Sequence, residues 1–461
     1  MAREFKKGDK KTIRAWTFYD WANSVYPLVI STAIFPIFYS KQTSVINADN
    51  CEIITDKVTF FGSQITNTVL YSWVVAASFI FVIILSPLLS GVADYSGSKK
   101  RFLQFFCYLG ALSTASLYFF NPEYLELSML SLFLASLGFW NSLVFYNAYL
   151  PEIADPVDHD KISARGFSMG YIGGVILLVI CLALIMTETA PATICFILTG
   201  IWWIGFAQIT YRRLPNPRIK SKISKDILGG GFRELKKVGR FLLKTRRLKR
   251  YLISFFLFSM GVQTVMLMAV MFAEKVIFKC GESGGLIVAV LLIQLVAVLG
   301  AFLFSRSSKK WGNLPVLGVA LVIWVVCIAA CYRMVDTPIE FYILAGCVGL
   351  VMGGTQALSR STYSKFLPQT KDTASFFSFY DITEKFGIVL GMITFGALEE
   401  IFGDIRTSVL SLVTFFALGL IALFFVPKNE DPDVPTSLGD KPVYEPVEGE
   451  DQETIDGDVI T

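Results

Sequence analysis

The sequence predicts an all-α membrane protein with twelve transmembrane helices in two pseudo-symmetric six-helix bundles. Three observations carry this. Of its 461 residues, 54% are hydrophobic and only 17% charged, against about 25% charged in soluble domains. The apolar runs are about as long as a bilayer is thick, roughly 20 residues, and lipid forces such runs into helices that close their own backbone hydrogen bonds. The longest internal gap between runs then divides them six and six.

Taken in order, the expected spans are 16–40, 69–90, 103–120, 126–149, 167–187 and 191–211, then 251–272, 285–305, 314–332, 338–358, 376–398 and 406–426. The chain so divides into an N-terminal half (1–211), a basic linker (212–250), a C-terminal half (251–427) and an acidic tail (428–461). The first span follows the basic MAREFKKGDKK, is long and lacks a small-residue cleavage site, so it reads as retained. The tail, with eleven acids and no apolar period, is expected to be disordered.

Charge sets the expected orientation. Six of the 41 Lys and Arg (Lys41, Lys57, Lys275, Lys279, Arg333 and Arg406) fall in one set of loops, Lys385 lies within a span, and the other 34 fall in the opposite set or the tails. That asymmetry places both termini in the cytoplasm. Fifteen of the basic residues lie in the linker, where Phe232, Leu235, Val238 and Leu242 form one helical stripe. A basic amphipathic helix on the inner leaflet fits, and so does a plain topogenic loop. The turns GVADYSGSKKR and SRSSKKWG occupy the same place in the two halves, which suggests parallel repeats.

Several classes are excluded. Nucleic-acid binding needs a basic face on a folded domain, and none is visible. A single histidine and eight cysteines without metal spacing point to no metal site. GxSxG, P-loop, HExxH and Rossmann patterns are all missing, so neither an enzyme nor a cofactor is expected. Cys51 and Cys280 lie in loops on the non-cytoplasmic side and could pair in an oxidising periplasm.

The candidate functional residues are those that cost energy inside a membrane. In the first span Asp20, Asn23, Ser24, Pro27 and Ser31 share a face, and an ionisable group at the bilayer centre costs about 2.5–3.5 kcal/mol on insertion scales. This face should point into the bundle, unless Asp20 merely caps the helix or reaches the interface. Pro27 and Pro36 break the hydrogen-bond ladder there. In the eleventh span Asp381 can pair with Lys385 at i,i+4 while Glu384 leaves one carboxylate over, suited to proton uptake or to a gate. Asn141, Asn147, Gln263 and Gln356 are amides within spans, able to grip a polar solute or to bond helix to helix. The glycines Gly166, Gly170, Gly173 and Gly174 form a close-packing face.

GVADYSGSKK resembles the loop motif of the major facilitator superfamily, with Asp94, Gly97 and Lys99 at its key positions and Ser90, Tyr95 and Ser98 departing from it. The resemblance implies the major facilitator fold and a cytoplasmic lock between the halves made by Asp94, Gly97, Lys99 and Lys100. More narrowly, FYDWANSVY (18–26), YNAYLPEIA (146–154), SARGFSMGYIGG (163–174) and GGTQALSRSTYSKFLP (353–368) resemble the vacuolar effluxer-like family, which spans fungal vacuolar amino-acid effluxers and bacterial members. That implies a secondary transporter moving a small polar, amino-acid-like solute by alternating access, coupled to protons. Asp20, Asn23 and Tyr26 with Asn141, Asn147, Gln263 and Gln356 are the expected substrate pathway, and Asp381, Glu384 and Lys385 the expected coupling or gating group. The short loops and small size look bacterial, which implies the inner membrane, and the expected partners of a monomer there are solute, protons and lipid. The rival reading is a non-transporting receptor or scaffold on the same fold.

Overall fold

The computed structural model describes residues 6–46, 53–215, 227–278, 283–402 and 405–429. Cys51, Cys280 and nearly all of the acidic tail lie outside them. The first six spans are α1 (Lys10–Thr43), α2 (Asn67–Ser96), α3 (Lys99–Ser116), α4 (Leu125–Asn147), α5 (His159–Met186) and α6 (Ile194–Arg213). A connector helix α7 (Ile227–Lys244) follows. The second six are α8 (Arg246–Val276), α9 (Ser283–Trp311), α10 (Asn313–Met334), α11 (Pro338–Phe366), α12 (Thr373–Phe402) and α13 (Ile405–Phe424).

Leaving α7 aside, eleven of the twelve spans, among the described residues, are long and apolar enough to cross a membrane. The exception is α12, and composition explains it. Asp381, Glu384 and Lys385 on one side and Glu399 and Glu400 on the other leave only 386–398 free of charge. It nonetheless runs the length of a span and packs against α2, α8 and α13.

Spans pack where side chains are smallest, because without water to drive association, close backbone approach supplies the contact energy. The most extensive contact joins α9 to α11, where Gly300 faces the Leu350 backbone, Gly349 the Ile293 carbonyl and Gly353 the Ala297 carbonyl. A Gly353→Val protein should lose about 1–3 kcal/mol to overpacking, read as a lower midpoint of thermal unfolding in detergent. The expected glycine face of α5 packs on α1: Gly170 lies against Ser24, Gly173 against Trp21 and Gly174 against Leu28.

Proline shapes α1. An α-segment Lys10–Asn23 passes into a π-helical stretch Tyr26–Ala33, and a second α-segment resumes at Phe35. Pro27 has no N–H to give to the preceding turn, so the ladder shifts to the wider spacing. At its end the Ile34 N–H donates to the Val29 carbonyl at 2.9 Å, five residues back. The loop after α1 contains two small antiparallel pairs, Val45–Ile46 with Ile53–Thr55 and Lys57–Phe60 with Ser63–Thr66. Phe61 and Gly62 turn the second with positive φ at both, as a two-residue hairpin requires.

The linker does form an amphipathic helix. Between residues 227 and 244 it lays Gly231, Val238, Phe241 and Leu242 against the bundle. Gly231 crosses Gly91 of α2 backbone to backbone, and the Tyr95 ring covers Gly230. Further along, Phe241 meets Phe376 of α12 edge-on at 5.9 Å, and Lys237 bridges to Asp372 at 3.1 Å and Glu234 at 3.2 Å. Burial works against the Lys237 charge, but Asp372 and then Glu234 outweigh it and lift its pKa above the ordinary lysine value. So α7 joins a helix of the first half to one of the second.

Candidate functional site

An ion pair links the two halves through their interior. Asp20 of α1 and Arg360 of α11 are 4% and 3% exposed, and Arg360 Nη2 lies 3.1 Å from Asp20 Oδ2. A guanidinium has five N–H groups in a fixed fork, and five acceptor contacts meet them. Nε donates to Ser163 Oγ at 2.9 Å. Nη1 donates to Asp20 Oδ1 at 3.4 Å and Asn147 Oδ1 at 3.3 Å, and Nη2 to Asp20 Oδ2 and to the Ser163 carbonyl at 2.9 Å. Tyr146 adds its hydroxyl to Asp20 Oδ2 at 2.7 Å.

Aromatic rings enclose the cation. Its centre is 4.1 Å from the Phe167 ring, 5.0 Å from Trp16 and 5.7 Å from Tyr146, within the range of cation–π attraction. Trp16 stacks on Tyr146 at 4.4 Å and donates its indole N–H to the Tyr146 carbonyl. Gly166 makes room: a methyl there would collide with the Asp20 carboxylate and Arg360. Apart from Arg360 itself, every residue that holds Arg360 comes from the first half, so the charge of one half is housed in the other.

One turn along α11, Gln356 accepts from the Tyr171 hydroxyl at 2.7 Å, a second polar bond between halves. The other expected pathway residues are placed differently. Asn23 is buried and within 3.5 Å of Ser24 Oγ. Tyr26 packs against Phe139 and Trp203 inside the first half, because six residues after Asp20 it stands off the Asp20–Ser24 stripe. Asn141 turns back to the Leu137 carbonyl of its own helix at 2.9 Å. Neither Tyr26 nor Asn141 joins the Asp20–Arg360 group.

Asp381, Glu384 and Lys385 do come together. The fully buried Lys385 ammonium lies 3.0 Å from Asp381 Oδ1 and 2.6 Å from Glu384 Oε2, and 3.7 Å from the centre of the Trp140 ring on α4. Gln263 of α8 donates to Glu384 Oε1 at 2.9 Å. One cation faces two carboxylates, and Asp381 Oδ2 is buried with no partner among the described residues.

Two clasps close the end of the bundle that carries the basic turns. In the first, Asp94 accepts from the backbone N–H of Ala374 at 3.2 Å and of Ser375 at 2.7 Å, in the first turn of α12, where the helix dipole favours an anion. Gly97 makes the turn with φ 66°. Lys99 bonds Glu152, lies 3.5 Å from Asp94 and donates to Thr373 Oγ1 at 2.5 Å. Lys100, expected in this group, instead donates to the Leu214 carbonyl at the end of α6. Lys99 and Lys100 are successive residues of α3 and so point about 100° apart around the helix, one towards α12 and the other towards the end of α6.

The second clasp mirrors the first with its chemistry reversed. Here the carboxylate, Asp160, stands at the start of α5 and takes hydrogen bonds from Ser308 at 2.8 Å, in the last turn of α9, and from Asn313 at 2.7 Å, at the start of α10. Lys365 reaches Asp160 Oδ2 at 2.5 Å. Sequence reasoning missed Asp160, Lys365, Glu152, Thr373 and the role of Arg360 as a partner. A signal was present: the motifs that carry the family resemblance contain Asp20, Tyr146 with Glu152, Ser163 with Gly166, and Arg360 with Lys365.

Two six-helix halves joined by buried charge are the major facilitator fold, and the relatives of the chain make it a multi-pass secondary transporter of that class. The family model for vacuole effluxer Atg22-like proteins matches residues 8–431, and the chain belongs to that family. It is 30% identical over 452 residues to the MFS-type transporter YxiO of Bacillus subtilis, covering 96% of this chain and 100% of that one. It is 23% identical to autophagy-related protein 22 of Coccidioides immitis, over 86% and 83% of the two chains. Among solved structures it resembles the proton:xylose symporter XylE with a TM-score of 0.67 at 12% identity, covering 93% and 96%. The transporter FucP in its outward conformation gives 0.63 at 13%, covering 92% and 99%. At such identities these two speak for the fold alone.

Proposed function

We propose that this protein moves a small polar, amino-acid-like solute across a bacterial inner membrane by alternating access, coupled to protons. The observation that carries the reading is the Asp20–Arg360 pair, in which the second half's cation is held wholly by first-half groups. Rocking the halves apart at this end must withdraw Arg360 from Asp20. A buried carboxylate left alone is strongly disfavoured, whereas a protonated one is far less so. Protonating Asp20 therefore releases the pair, and re-forming it releases the proton.

The Asp381–Glu384–Lys385 group, with its surplus carboxylate, is the second proton site. Gln356, Asn147 and Gln263 line the path between. With 34 of the Lys and Arg on one side, the clasped end faces the cytoplasm, as do both termini, and the described arrangement is the cytoplasm-closed state. The amino-acid cargo comes from the family resemblance.

The test is uptake and exchange in proteoliposomes with pooled labelled amino acids, with and without an imposed pH gradient. Gradient-driven accumulation of a pool member in the parent, lost in Asp20→Asn while gradient-independent exchange persists, is expected. Undiminished accumulation in Asp20→Asn would remove the coupling role. No movement of any pool member by folded protein would remove the cargo class.

A further inference from the structure

The inner face of α7 is taken up by the bundle, and its outer face is not. Arg233, Lys236, Arg240 and Lys244 are exposed there, with Phe232 and Leu243 exposed between them at 59% and 70%. The single acid of this helix, Glu234, is engaged by Lys237. Four cations flanking two large apolar side chains on one face is the composition of a helix that lies in a charged interface.

Position decides which interface. The crossing of Gly231 with Gly91 and the Tyr95–Gly230 contact fall in the last turns of α2, which has the smallest buried share of the eleven apolar spans among the described residues. At its other end α7 is separated from α8 by Thr245 alone, whose N–H bonds the Phe241 carbonyl while its own carbonyl accepts from Lys249. A one-residue joint holds α7 where a transmembrane helix enters the bilayer, beside Arg246, Lys249 and Arg250. The helix has no slack to hang away into water.

We infer that the outer face of α7 is a binding surface for anionic phospholipid headgroups, with Phe232 and Leu243 inserted among them. Because the inner face bridges α2 and α12, lipid bound on the outside steadies a strap across the seam between the halves. Charge of the bilayer thereby acts on the closed state without any contact to solute.

The full-length protein in nanodiscs tests this, comparing phosphatidylcholine with phosphatidylcholine containing three parts in ten phosphatidylglycerol. Amide exchange across residues 229–244 should slow about tenfold or more in the anionic bilayer, and salt at about 1 M should abolish the difference. The variant R233Q/K236Q/R240Q/K244Q, altered only on the outer face, should show no difference between bilayers. Lys237→Gln, altered only on the inner face, should keep it. Equal exchange of the parent in both bilayers would overturn the inference. So would slowing that persists in the fourfold variant, or slowing by a soluble polyanion in place of the lipid.

Discussion

Arg360→Ala is expected to cost about 3–5 kcal/mol of stability, the largest effect of any single substitution proposed for this chain. Asp20 is 4% exposed in the parent, and among the described residues the alanine leaves it the Tyr146 hydroxyl as its one side-chain donor. Breaking a buried pair from one side is far more destabilising than losing both partners. Thermal unfolding in detergent should show it, and the double variant Arg360→Ala/Asp20→Asn should recover much of the loss. That recovery separates an uncompensated charge from a simple cavity, which the second change would not repair. If Arg360→Ala unfolds with the parent, the pair is not what holds these segments together.

Opening of the basic end should be next most sensitive to Asp94→Ala. Hydrogen bonds to a charged group contribute about 1.5–3 kcal/mol each, and Asp94 takes two from the first turn of α12. Loss of even one shifts the population of open molecules by about tenfold or more, since 1.4 kcal/mol is a factor of ten. A cysteine at Ala164, fully buried with Ala301 and Ala357 at the seam, reports opening through its rate of maleimide labelling. In a background free of other cysteines that rate should rise tenfold or more in Asp94→Ala. Adding Asp160→Ala should raise it again, because the two clasps hold the same pair of bodies at different points. An unchanged rate would mean that the amide contacts of Asp94 add nothing to closure.

Much of this was readable beforehand, and where it was not, the reason is physical. Apolar runs disclosed twelve spans, α12 included, since a run interrupted by three charges at its start still reads as helix. The Asp381–Lys385 pairing was legible because i,i+4 partners depend only on local helix geometry. Asp20 stood out because a carboxylate in a span is costly, yet its partner lies 340 residues away. Nothing in local spacing reports such a pairing. Arg360 was further disguised by its place near a helix end, where a long cation ordinarily reaches out to the headgroups. Tyr26 shows the opposite error, a polar aromatic credited for its neighbours although its own azimuth takes it into the core. The linker left two readings open because amphipathicity alone does not say what covers the apolar stripe. The structure shows the bundle covering Val238 and Leu242 and leaving Phe232 of the expected stripe exposed.

The π-helical stretch in α1 makes that helix two rods meeting at a slip joint. Counting residues in threes and fours describes which way side chains point only as far as about Asn23. Beyond Tyr26 the wider turn changes the count, so Ser31 is not carried round to the azimuth of Asp20 and Ser24. A twist applied to the outer rod can be absorbed by carbonyls in the stretch exchanging one N–H partner for the next, and the inner rod need not turn with it. The first span can thus follow movement at the far side of the membrane while the carboxylate at its near end stays aimed.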